Sequence, residues 1–294
     1  MLIWEIVPPE KNSSPKDLKL FCDQLVDIVK NNKIDALDIP DLINEEKTDR
    51  KRPFKKISSL KLAQLIQQKI KIPIIVNHVT VFDQLTKQKQ WLIDVYKNYQ
   101  INKIILVGAP DNKSYPGLSV VQMAKLVSQL NKEKLINITC GGITIPTRQI
   151  LNKEAERIVA KQKAGVKFFF SQIIYESKNT CRVLKNYYQF CQKEQLTPAK
   201  IIVTFSPLSS LAGLKFLTSL RVYIPATIKK LFLANPNQID KLSIEVIKQV
   251  WQEILTFKKE KKINVPLDVG ISYIQKANLQ TSKNLLKYFA NGSN

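Results

Sequence analysis

Short apolar, β-branched runs alternate along the chain with longer stretches of mixed polarity. The runs are Leu2–Val7, Ala36–Ile39, Pro73–Asn77, Lys103–Val107, Asn137–Cys140, Lys167–Ser171, Lys200–Phe205 and Pro266–Gly270. Each has the length and residue types of a strand. Between them apolar residues recur at i, i+3, i+4 and i+7, the period of a helix with one buried face. In Leu18–Val29 the stripe is Leu18, Phe21, Cys22, Leu25, Val26 and Val29, with Asp and Lys opposite. Ile57–Ile70, Leu85–Tyr96, Ser119–Leu130, Arg148–Ala164, Ser177–Cys191 and Ile239–Lys258 repeat the pattern.

Strands that alternate with helices predict parallel βαβ units. The count of candidate strands reaches the number that closes a barrel, and no GxGxxG loop follows the first strand. The expected fold is therefore a (β/α)8 TIM barrel rather than an open doubly wound sheet. No linker or break in composition divides the 294 residues, so a single domain over residues 1–294 is expected. Asn44–Lys56 reads as a long polar loop after the second strand.

In such a barrel, reactive groups sit at the C-terminal ends of the strands. The residues that fall there are Glu5; Asp38, Asp41 and Asn44; Asn77 and His78; Gly108 and Asp111; Gly141 and Gly142; Ser171 and Gln172; Ser206; and Asp268 with Ser272. The set is polar, rich in carboxylates and contains the chain's single histidine.

Composition removes several alternatives. Hydrophobic residues make up 44% and charged residues 24%, as in ordinary globular proteins. No apolar run approaches the roughly 18–20 residues that span a bilayer. Met1–Pro9 lacks the positive flank and apolar core of a signal peptide, so a cytoplasmic location is expected. Cys22, Cys140, Cys181 and Cys191 form no CxxC pair, and nothing clusters around His78, so free thiols and no metal site are expected. The net charge of +22 favours anionic ligands, but the lysines are scattered and no nucleic-acid-binding motif accompanies them. The densest cluster is Lys47–Lys56, within the loop after the second strand.

Glu5 carries the most chemistry. It lies inside the apolar run Leu-Ile-Trp-Glu-Ile-Val-Pro-Pro. A carboxyl in such a place is either paired with a lysine from a neighbouring strand or held protonated, as a general acid requires.

Glu5-Ile6-Val7-Pro8-Pro9 resembles the opening strand of methylenetetrahydrofolate reductases. The resemblance continues in order through Asn77-His78-Val79-Thr80, Asn102–Asp111 and Glu154-x-x-Arg157-x-x-x-Lys161-x-x-Ala164-Gly165. It then runs through Phe170-Ser171-Gln172, Pro207–Ser210 and Arg221–Pro225 with Leu231-Phe232, thinning after residue 235. It implies an oxidoreductase on CH–NH donors in folate one-carbon metabolism and methionine biosynthesis. Such an enzyme reduces 5,10-methylenetetrahydrofolate to 5-methyltetrahydrofolate with FAD and NADH or NADPH.

By that resemblance Glu5 is the general acid. Gln172 and Asp111 serve the substrate; Asp38 is assigned to it as well from its place at the end of the second strand, where a pterin methyltransferase or synthase would use it with Asp41 and Asn77. His78, Glu154, Arg157, Lys161 and Gly108 serve the flavin. The implied partners are a folate, a nicotinamide or redox-protein electron donor, and a further copy of the chain in a homo-oligomer, without membrane or nucleic acid.

The sequence also departs from the family. Its Gly-Asp becomes Gly108-Ala109-Pro110-Asp111, and the fifth strand ends Thr139–Pro146 without the family's Tyr-Pro-Glu-x-His element. Leu211 replaces an expected phenylalanine. These departures fall mainly on flavin contacts and predict weak or altered flavin binding. A pterin-dependent methyltransferase or synthase on the same barrel class, without flavin, is the alternative. A non-enzymatic polyanion-binding protein is the third reading.

Overall fold

The structure is a computed structural model and describes residues 1–42, 56–111, 113–148, 151–274 and 276–290. Most of the polar loop after the second strand, including the basic cluster expected there apart from Lys56, lies outside the described residues; Lys56 pairs with Glu10 at 2.5 Å.

Eight parallel strands, ordered as in the sequence, form a closed barrel. They are β1 (Leu2–Ile6), β2 (Ala36–Ile39), β3 (Ile74–Val79), β4 (Lys103–Val107), β5 (Thr139–Thr144), β6 (Phe168–Ser171), β7 (Lys200–Phe205) and β8 (Leu267–Ile274). One helix follows each of the first six strands: α1 (Pro15–Asn31), α2 (Ser59–Gln67), α3 (Leu85–Lys97), α4 (Val120–Lys132), α5 (Leu151–Lys163) and α6 (Lys178–Lys193). Three helices separate β7 from β8: α7 (Leu211–Ser219), α8 (Ala226–Ala234) and α9 (Ile239–Glu260). The helix α10 (Leu279–Ala290) follows β8.

The chain packs as two compact units. One holds residues 1, 3–142 and 161–167, and the other holds residues 2, 143–160 and 168–294. In the first, Trp4, Leu37, Val76, Ile104 and Leu106 are buried among the apolar faces of the helices, such as Leu62, Leu92 and Met123. Helix starts follow local rules: Ser14 and Ser58 cap α1 and α2, and Ser119 with Gln122 forms a full capping box on α4. In the second, Phe205 of β7 meets Trp251 of α9 edge-on at 6.2 Å and Phe289 of α10 in a stack at 6.0 Å. That aromatic group fixes which side of β7 faces the helices.

Three strands run two or more residues past the ends read from the sequence. β3 runs on to Val79 and so includes His78. β5 runs to Thr144, because Gly141 and Gly142 pair with Ile105 and Leu106 of β4. A Gly-Gly pair reads locally as a turn, but the ladder with β4 overrides that tendency. β8 extends to Ile274, so Asp268 lies at the strand's start and not at its C-terminal end. There it pairs with Lys200, the first residue of β7, at 2.8 Å.

Several helices end without glycine. Gln100, Lys134, Gln195, Arg221 and Lys262 follow α3, α4, α6, α7 and α9 with φ between 50° and 60°. That left-handed backbone costs an L-residue about 1–2 kcal/mol, while glycine adopts it at an entropic cost of about 0.5–1 kcal/mol. Gln195→Gly, at an exposed site that carries no charge, is expected to stabilise the protein by about 0.5–1 kcal/mol. The measurement is a urea titration, in which the midpoint should rise with the slope unchanged.

Candidate functional site

The first unit brings two acids together. Glu5 of β1 and Asp38 of β2 are register partners, so their side chains leave the same face of the sheet side by side. Asp38 is also in register with Ile75 of β3, and alternation then places Asn77 on that face as well. Asp38 is 1% exposed and Asn77 9%, whereas Glu5 is half-buried.

Burial first, and then the neighbouring Glu5 charge and carboxyl, hold Asp38 well above the ordinary carboxylate range. Asn77 and the Ile39 amide lie near enough to oppose that shift. Yet no donor reaches either Asp38 oxygen, or Asn77 Oδ1, in ordinary hydrogen-bond geometry. Buried acceptors in this state call for a proton or a ligand.

His78, one residue further along β3, takes the opposite side. Its ring stacks on Trp91 of α3, with centroids 3.6 Å apart. Its Nε2 stands 2.6 Å from Gln88 Oε1. The Gln88 amide nitrogen donates to the carbonyls of Thr80 (2.7 Å) and Asp83 (3.1 Å), so Oε1 is the acceptor and His78 Nε2 carries the hydrogen. Thr80 Oγ1 in turn donates to the Leu118 carbonyl at 2.6 Å.

The loop after β4 is built around two residues. Asp111 Oδ1 accepts from the Lys113 amide (2.9 Å) and the Tyr115 hydroxyl (3.0 Å). Gly117 packs so tightly on the backbone of Thr80 and Val81 that a Cβ there would come within 2.6 Å of three of its atoms. Gly108 ends β4 beside Val120.

In the second unit Glu154 of α5 is fully buried. Its Oε1 accepts from Thr144 Oγ1 (3.1 Å) and the Ile145 amide (2.9 Å), which ties the end of β5 to α5. Its Oε2 faces Arg148 at 3.4 Å and Arg157 at 3.5 Å, cations that are 38% and 44% exposed. Arg148 was not singled out in the sequence; a cation just ahead of an acidic first helical turn is the cue that could have found it. Lys161, which belongs to the first unit, is half-buried.

Gln172 follows β6 directly, and its backbone amide donates to the Thr144 carbonyl at 2.7 Å. The Ser171 hydroxyl accepts from the Thr204 amide at 2.8 Å and so ties β6 to β7. On the face of β6–β8 away from the helices, Phe170, Ile202 and Thr204 crowd around Gly270.

All four cysteines are free and buried, and burial pushes the Cys140 and Cys181 thiols up to about 11. Among the described residues, no group of three or more His, Cys, Asp or Glu could hold a metal ion. No described helix is long and apolar enough to cross a membrane.

The family model for methylenetetrahydrofolate reductase matches residues 29–260. The chain belongs to the methylenetetrahydrofolate reductase family. No curated protein matches its sequence. Among solved structures, an uncharacterised protein from Clostridium thermocellum that binds two copies of 5-methyl-5,6,7,8-tetrahydrofolic acid has a similar fold. It shares 23% identity at a TM-score of 0.82, over 99% of this chain and 95% of that one. Phosphoribosyl anthranilate isomerase from Thermococcus kodakaraensis aligns at 12% identity with a TM-score of 0.46, over 98% of this chain and 99% of that one.

Methylenetetrahydrofolate reductases use a flavin, and the residues that the sequence resemblance assigns to it fit poorly here. His78 is engaged by Gln88 and Trp91 on the helix side of β3. Both Glu154 oxygens face donors or cations of this chain. Arg157, with the neighbouring Arg148, keeps a cation open to solvent.

The Gln88 network yields a test of this arrangement. Gln88→Leu removes the partner of His78 and of two backbone carbonyls, leaving buried polar groups unsatisfied. A loss of about 2–4 kcal/mol is expected by denaturant titration, since each such group costs about 1–3 kcal/mol.

Proposed function

We propose that this protein binds a reduced folate and converts 5,10-methylenetetrahydrofolate to 5-methyltetrahydrofolate, with Glu5 as the general acid. The single observation that carries the reading is the Glu5–Asp38–Asn77 cluster on adjacent strands, away from the helices. Family membership supports it, as does the fold shared with a protein that binds 5-methyl-5,6,7,8-tetrahydrofolic acid.

The chemistry needs one proton and one hydride. Glu5, the more exposed of the two acids, gives a proton to N10 of the folate. The bond from N10 to the methylene carbon breaks, leaving an iminium at N5. A hydride from a reduced nicotinamide adds to that carbon and completes the methyl group. Asp38 beside Glu5 is the proposed substrate contact within this unit, with Asp111 shaping the loop after β4; Gln172, which follows β6, is given a substrate role by the family resemblance alone. No step of this reaction passes through a flavin; of the residues assigned to one, Arg157 keeps a cation partly open to solvent, where a phosphate would be met. Gly108 at the end of β4 would allow close approach.

Glu5→Gln is expected to preserve binding of 5-methyltetrahydrofolate by calorimetry. It should cut nicotinamide-dependent turnover by about 10²–10⁴, the usual contribution of a general acid. Wild-type protein that neither binds the folate nor turns over would overturn the reading. Near-normal turnover in the variant would remove Glu5 from it.

A second reading is favoured by the engagement of His78 and Glu154 within the protein: a folate-dependent methyltransferase or synthase on the same barrel, without flavin. Titration of the purified protein with FAD separates the two. Binding weaker than micromolar is expected, because each hydrogen bond lost to the cofactor costs about 0.5–1.5 kcal/mol and about 1.4 kcal/mol is tenfold. Submicromolar binding at one site per chain would return the protein to the ordinary flavoenzymes.

A further inference from the structure

Two acids stand side by side on β1 and β2, and one of them is nearly closed off from solvent. Glu5 and Asp38 are register partners; Asp38 is 1% exposed, while Glu5 keeps part of its surface open. The groups acting on Asp38 come from each neighbouring strand and its own: Glu5 from β1, Asn77 from β3 and the Ile39 amide on β2. None of them is a cation.

A buried carboxylate without a cation is costly, and two carboxylates in contact are costlier still. Both Asp38 oxygens and Asn77 Oδ1 also lack donors of ordinary geometry. One proton on the pair relieves the charge and gives one Asp38 oxygen a hydrogen to share. It removes a charge, turns an acceptor into a donor, and makes the Glu5–Asp38 contact attractive.

We infer that Asp38 is the positioning residue of the proton donor: it holds one proton jointly with Glu5, so that Glu5, the reachable member, stays loaded. This deepens the proposed role of Glu5 and rests on it for the delivery step alone. In that step the shared proton moves to Glu5 and then to N10, whose bond to the methylene carbon breaks. The pair is left doubly ionised, with the Asn77 side chain and Ile39 amide nearest to the new charge on Asp38. Solvent returns the proton through Glu5. No oxidant or reductant beyond the nicotinamide is required.

Burial offers a competing explanation for a proton on Asp38, one in which Glu5 plays no part. The two are separable because sharing makes each acid's titration depend on the other. Infrared spectra of the unliganded protein, recorded from about pH 4 to about pH 9, follow the protonated-carboxyl band beyond the ordinary carboxylate value of about 4.

In wild-type protein the band is expected to persist into the neutral range. In Asp38→Asn it should vanish near the ordinary carboxylate value. In Glu5→Gln the midpoint should fall below that of wild type, since the charge that raises Asp38 is gone. Equal midpoints in wild type and Glu5→Gln would overturn the inference, because burial alone would then hold the proton. A band unchanged in Asp38→Asn would overturn it too. If Asp38→Asn does not fold, Glu5→Gln decides the matter.

Turnover gives a second readout that a merely structural Asp38 would not move. The high-pH fall in rate should shift to lower pH in Asp38→Asn. A fall at the wild-type pH would count against the sharing. Absence of folate binding, with the infrared behaviour as expected, would defeat the proposed function and leave the shared proton in place.

Discussion

A parallel strand sends successive side chains to opposite faces, and that two-residue period decides which polar groups of this protein can meet. Asn77 and His78 are neighbours in sequence and part company in space. Asn77 joins the face of Asp38, while His78 stacks against Trp91 of α3. The same rule sends Phe205 to Trp251 and Phe289 and leaves Thr204 near Gly270. Everything chemical here depends on the register that sets Glu5 opposite Asp38. A slip of one residue would exchange the acids for Trp4 and Leu37, both fully buried apolar side chains.

The acids owe their character to where they are held. Asp38 is almost wholly buried, beside a second acid and with no cation among the groups that act on it, so ionisation forfeits hydration that the surroundings barely replace. Glu154 is equally buried but has the reverse setting, with two backbone or hydroxyl donors and two guanidinium groups around it. One carboxyl is therefore suited to move a proton and the other to brace a loop. Residue type alone does not distinguish them.

The strand–helix alternation was legible because periodicity is local, and the barrel followed from the strand count. Glu5 stood out because it interrupts an apolar run. Asp38 was read as a strand-end acid, but its pairing with Glu5 was not, because the two adjoin only through a register that no local pattern encodes; yet ALDI, like LIWEI, has one acid among apolar residues, and setting the two runs in parallel would have paired them. His78 was drawn into the candidate site by its place at a strand end, since β3 was read two residues short and its parity went unused. Asp268 was misplaced for a similar reason, because β8 extends further beyond Gly270 than its composition suggests. The basic loop after β2, apart from Lys56, lies outside the described residues.

Glycine is scarce in this chain, with eight in 294 residues, and helix ends that commonly use it carry Lys, Gln or Arg instead. Gly165, which itself follows the end of α5, and Gly117 are held to glycine by crowding rather than by φ alone. At Gly165, with φ of 118°, a Cβ would lie 2.2 Å from Ser128 Oγ, and at Gly117 it would strike the main chain of the neighbouring loop. At a helix end a side chain only twists its own backbone, and the penalty stays local. At Gly117 it would have to push apart the loops after β3 and β4, whose contact is sealed by the Gly117 and Leu118 amides on Val81 and Thr80. A drift in coding bias that removes glycine can therefore erode the helix ends one at a time, whereas these two positions mark where such erosion must stop.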